Sequence, residues 1–229
     1  MIEVLENIPV TFHAEQVLKL LRIRHRVDSI LRMVDDLIER AATVVRPRAI
    51  YAVSLVSNLQ DGAFDVDGVQ FRSYVLSKNL EEVNRVFPYV ATCGAEIDSI
   101  EVPPGDLRRS YCLDILKTLA LVAAGSFLEE HLTARYKLGR ITHMNPGELQ
   151  DWPVTQQRAL FTVLGDVERA IGVRLTEGMA MVPTKSRSGL YFPNDTDFET
   201  CRLCPVKRCP GRRARYEPEA VKEYRPSGQ

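Results

Sequence analysis

Two N-terminal stretches carry apolar residues at helical spacing. From His13 to Ile23 the set is Val17, Leu18, Leu20 and Leu21. From Val27 to Val45 it is Ile30, Leu31, Val34, Leu37, Ile38 and Ala41, with charges on the opposite face. Pro47 stops the second helix. Ala49–Val56 then reads as a strand. Phe64–Phe71 reads as a hairpin, because alternating apolar residues flank an Asp-Gly turn. A short helix is expected around Leu80–Val86 and a β-prone run at Tyr89–Cys93, ended by Gly94.

After Pro103-Pro104-Gly105, Asp106 is a plausible N-cap for a helix of about 30 residues that runs to Lys137 and is ended by Gly139. Its middle, Leu119–Phe127, is apolar nearly all round, which marks a buried central helix. A Pro/Gly loop, Met144–Pro153, leads to a helix near Thr155–Ile171. Gly172–Met181 and Gly189–Phe192 are the last strand candidates. Helices and strands are interspersed without a βαβ rhythm, and the hairpin is antiparallel. The expected class is α+β: one domain over residues 1–193, with a long central helix and an antiparallel sheet, followed by an irregular tail over 194–229.

Composition narrows the function classes. The 229 residues are 45% hydrophobic, with 30 Lys+Arg against 30 Asp+Glu, so formal net charge is zero. A balanced chain lacks the positive excess of a general nucleic-acid or membrane-surface binder. No run of roughly 18 or more consecutive apolar residues is present, and the start, Met1–Glu6, is acidic where a signal peptide would be basic. A cytoplasmic protein is expected, and its five cysteines then need a reading other than disulfides.

Three of those cysteines form C-x2-C-x4-C-P: Cys201, Cys204 and Cys209 before Pro210. Close thiolates suit an iron–sulfur cluster, favoured by the Cys-Pro step, or zinc. A fourth ligand is needed, and Cys93 at a strand end is the better candidate; Cys112, on the central helix, reads as a small buried residue. His13, His25, His131 and His143 are scattered and read as ordinary histidines. Lys207, Arg208, Arg212, Arg213 and Arg215 crowd the motif, where they offset thiolate charge or form a docking patch.

The most informative stretch is Leu175–Phe192. Ser186, Ser188 and Gly189 form a small-residue turn that backbone or ligand can approach closely, and Tyr191 and Phe192 follow as an aromatic wall with one hydroxyl. Its pattern, L-T-E-x-x-A-M-x-P-x-x-S-x-S-G-x-Y-F, resembles the activation-domain family of cobalamin-dependent methionine synthase. Asn145–Pro153 is similar to that family's Pro-Gly loop, and the likeness is specific from about Arg140 to Phe192.

The resemblance implies a curved α+β domain that binds S-adenosylmethionine and supports reductive remethylation of cobalamin. It implies ligand contacts from Tyr191, Phe192, Ser188 and Gly189, and from Arg140 to the carboxylate. A chain of this length would act as a free-standing module on cobalamin presented by a separate corrinoid protein or methionine synthase core. An electron donor is also required, and a metal centre in the tail would relay its electron. The reading from another class is a non-enzymatic metal-binding adaptor whose basic Cys tail docks a protein or RNA partner.

Overall fold

The computed structural model describes residues 1–23, 27–194, 198–209 and 211–224; His25 and Pro210, named above, lie outside the described residues. The chain begins with strand β1 (Ile2–Leu5), then helices α1 (Ala14–Leu20) and α2 (Asp28–Val44). The single strand expected at Ala49–Val56 is two, β2 (Arg48–Ala52) and β3 (Ser54–Gln60), which pair with successive parts of one central strand. The hairpin forms as β4 (Ala63–Val66) and β5 (Val69–Arg72), with Asp67 and Gly68 both at positive φ, the geometry that fits the twist of a two-residue turn.

The short helix sits earlier than the apolar spacing suggested. It is α3 (Tyr74–Asn79), because Ser73 caps it through Leu76 N–H and the Asp151 carboxylate accepts from Tyr74 and Val75 N–H. The expected helix at Leu80–Val86 gives way to a longer strand, β6 (Arg85–Thr92). Helix α4 spans Leu107–Tyr136, capped by Asp106 as expected, but it ends with Lys137 rather than Gly139 in the left-handed region. Strand β7 (Ile141–Met144) was not legible as a strand. The helix expected at Thr155–Ile171 is broken by Gly165 into α5 (Gln157–Leu164) and α6 (Val167–Ile171), the second capped by Asp166. Two short strands, β8 (Arg174–Leu175) and β9 (Met181–Val182), pair apart from the main sheet and lead into β10 (Ser186–Pro193). Helices α7 (Thr200–Leu203) and α8 (Pro218–Glu223) follow.

Among the described residues the main sheet has eight strands, and every pairing in it is antiparallel. β6 lies at its centre, flanked by β2 and β10, and β10 carries β7 on its outer side. Strand alternation sends odd and even positions to different cores. Ala49, Tyr51, Phe87, Tyr89 and Tyr191 pack with Ala124, Leu128 and Leu132 of α4. Ile50, Ala52 and Val90 pack with Leu164, Val167 and Ile171 of α5 and α6, while Leu190 and Phe192 join Trp152 and Leu160. Helices α1 and α2 close over the first half of α4 around Val17, Val34, Leu37 and Leu116. The length and apolar middle of α4 would also suit a membrane crossing, but eight of its residues are buried in these cores, which is where the sequence placed it.

The tail is packed onto this body. Phe198 and Leu203 are buried in the Trp152–Phe192 core, and Val221 and Tyr224 lean on it. The Thr142 hydroxyl donates to the Phe198 carbonyl and the Thr200 hydroxyl to the His143 carbonyl. The outer side of β7 is thereby covered, which explains why all four of its residues are buried.

Candidate ligand-binding site

β10 carries four of the five residues expected at the ligand site, and the alternation of the strand separates them. Tyr191 lies on the α4 face and Phe192 on the face of Trp152; they are 2% and 1% exposed. The pair therefore does not form one wall. Ser188 also turns away from Tyr191: its hydroxyl donates to Gln157 Oε1 at 3.1 Å, and Gln157 Nε2 donates to the Met179 carbonyl. Both residues position the strand between helices. Gly189 stays on the Tyr191 side, where a Cβ would collide with Asn145 Oδ1 and the Met144 carbonyl and press on the Tyr89 ring. That close approach requires glycine.

Around Tyr191 the α4 face is polar. The Tyr191 ring lies 4.6 Å from that of Tyr89 and 5.0 Å from that of His143. The Tyr89 hydroxyl donates to Asn145 Oδ1 at 2.7 Å, and Asn145 Nδ2 donates to Glu148 at 2.6 Å. The Pro-Gly loop is thus tied to β6, the strand paired with the motif strand, by a hydrogen-bond chain that is buried at Tyr89 and Asn145, where a polar group left unpaired would be costly. The Tyr191 hydroxyl reaches the Gly125 carbonyl at 3.5 Å, and Glu129 stands beside it.

Charge in this strip is uneven. Burial pushes His143 down to about 3, helped by the guanidinium groups of Arg213 and Arg187, so its ring is neutral. Burial raises Tyr89 and Tyr191 far above the phenol range. Packing also raises Glu129, although it keeps an exposed edge. Arg213 Nη1 lies 3.1 Å from His143 Nε2, and Arg213 Nε lies 3.3 Å from Glu199 Oε2. Sequence reasoning grouped Arg213 with the cysteines and read His143 as ordinary; no sequence signal brings the two together, because the contact spans 70 residues. Arg140 is exposed just before β7, about 10 Å of strand from His143.

The cysteines fall in two places. Cys93 N–H donates to the Lys185 carbonyl at the start of β10, inside the core of α1, α2 and α4. The tail cysteines follow Thr200, which is bonded to His143 opposite Tyr191. Six residues of extended strand, about 20 Å, separate Lys185 from Tyr191. The structure thus does not bring Cys93 to the other three, and burial pushes its thiol up to about 11, as it does for Cys112. Among the described residues no group of three His, Cys, Asp or Glu is arranged to hold a metal ion.

The tail loop is nonetheless organised. Arg212 donates to the carbonyls of Cys201, Cys204, Val206 and Ala214, and Arg213 N–H points at Cys201 Sγ at 3.4 Å.

Residues 146–202 match the family profile described as vitamin B12 dependent methionine synthase, activation domain. This span contains the Pro-Gly loop from Pro146 onward, the α5–α6 pair and the whole motif strand described above. The family segment extends past Phe192 through Cys201, so the first tail cysteine lies inside it. In fold, the chain is similar to the crystal structure of the MetH reactivation domain bound to AdoHcy, with a TM-score of 0.60, 15% identity and coverage of 87% of this chain and 80% of that one. No curated protein sequence matches the chain. The fold likeness extends the activation-domain architecture well upstream of the profile match, over helices whose sequence carries no family motif.

Proposed function

We propose that this protein binds S-adenosylmethionine and supports the remethylation of cobalamin carried by a separate corrinoid protein or methionine synthase core in the cytoplasm. The observation that carries the reading is the family match over residues 146–202, which takes in the whole motif strand with Tyr191. The relative of like fold is titled as a complex with AdoHcy, the demethylated form of the same ligand. Methyl transfer to reduced cobalamin draws forward an unfavourable reduction, for which a separate donor supplies the electron.

The chain's own residues do the positioning. Tyr191 offers the ligand a ring and hydroxyl. Gly189 lets β7 and the Asn145 loop close against the strand, and Ser188 and Phe192 fix the strand from its other face. Cys201, Cys204 and Cys209 do not form a ready ligand set, so no step is routed through them. A tail metal is a separate proposal, tested by iron, sulfide and zinc content of protein purified without oxygen.

Calorimetric titration with S-adenosylmethionine tests the main reading. Saturable binding is expected, and Tyr191→Ala should weaken it by roughly 1–3 kcal/mol through lost ring contact and a lost hydroxyl hydrogen bond. Absence of binding by the intact chain would remove the function proposed.

A further inference from the structure

The ligand of the proposed function ends in a zwitterion, and a zwitterion is recognised by a cation for its carboxylate beside an acceptor for its ammonium. The tail places one of each over the Tyr191–His143 pair. Arg213 rests on the neutral His143 ring and holds its guanidinium 3.3 Å from Glu199. Glu199 Oε2 is buried and, among the described residues, accepts no hydrogen bond; Arg213 is its close cation without hydrogen-bond geometry. A buried carboxylate oxygen lacking a donor is unfavourable, and an incoming ammonium supplies that donor.

We propose that Arg213 and Glu199, both from the tail, receive the amino-acid end of S-adenosylmethionine, an inference that rests on the binding reading above. Tyr191 is closed from solvent in the free protein, so a ligand has to part the Arg213–Glu199 pair. The two side chains are 39% and 25% exposed, and an ion pair so placed opposes opening only weakly. The ligand exchanges that pair for two better ones: its carboxylate takes the guanidinium fork and its ammonium takes Glu199. Arg213 is also held by its backbone to Cys201, and its neighbour Arg212 fastens the cysteine loop. The shape of that loop therefore sets where the receptor stands, which gives the cysteine tail a part in ligand binding whether or not it carries a metal.

Calorimetry with two probes separates this role from a structural one. S-Adenosylmethionine carries the amino-acid end; 5′-methylthioadenosine keeps the nucleoside and the methylated sulfur, as a neutral thioether in place of the sulfonium, and lacks it. Arg213→Gln should lose roughly 10- to 100-fold in affinity for the first probe and nothing for the second, Glu199→Gln should behave alike, and Arg213→Lys should recover part of the loss. Equal loss for both probes, an unchanged Arg213→Gln, or a selective loss in Arg187→Gln or Arg140→Gln instead would overturn the assignment while leaving the binding function standing. An intact chain that binds neither probe would overturn both.

Discussion

His143 offers a direct test of the site's electrostatics. Its ring is 5% exposed, packed on Tyr191 and approached by Arg213 and Arg187, with Glu129 and Glu199 as the nearby acids. Burial and the two guanidinium groups move it from its ordinary 6.5 to about 3. Because the folded ring titrates below the unfolded one, the unfolded chain takes up a proton first as pH falls. The neutral ring's stability is fully present above 6.5 and drains away as pH drops toward 3. At about pH 5 the unfolded chain is mostly protonated at this residue and the folded one is not. Each pH unit is worth about 1.4 kcal/mol, so the loss there is about 2 kcal/mol. His143→Gln keeps a polar group but does not titrate. Urea unfolding of both proteins at about pH 7.5 and about pH 5 should show the parent losing about 2 kcal/mol more than the variant. Carboxylates, Glu129 included, titrate in both proteins and cancel in the difference. Identical pH dependence would mean that His143 is solvated or charged in the folded state, and the account of the strip around Tyr191 would be wrong.

Gly189→Ala should destabilise by about 1–3 kcal/mol, because the new Cβ has Asn145 and the Met144 carbonyl in its place; a shift in thermal midpoint measures it. Asp151→Ala should cost about 1–2 kcal/mol, since the carboxylate accepts from two N–H groups at the start of α3; denaturant titration reads the loss, and no change would mean that Ser73 caps the helix alone. Arg212→Ala should loosen the loop that its guanidinium ties together, so Cys201 and Cys204 should react faster with a disulfide reagent while Cys93 and Cys112 stay slow in their cores; unchanged kinetics would deny Arg212 that role.

Sequence alone determined the parts whose causes are local. The Asp67-Gly68 turn, the Asp106 cap, the two N-terminal amphipathic helices and the apolar middle of α4 each rest on residues within a few positions of one another, and each stands in the fold. The family signature from Asn145 to Phe192 was legible for the same reason, since a motif is a local record. Element ends were less so: α3 starts at Tyr74 because of Asp151, a residue 77 positions away. β7 carries no strand signal in its own sequence, because its burial comes from a tail folded over its edge, which no window around Ile141 contains. The site was split in the same way. Tyr191 and Phe192 are neighbours in sequence, yet the period of two along a strand puts them in different cores. Conversely, Arg213 and Glu129 are 84 positions apart in sequence and meet at Tyr191. Cys93 and the tail cysteines, matched by type, are held at opposite ends of β10, because strand length and not residue chemistry fixes that distance.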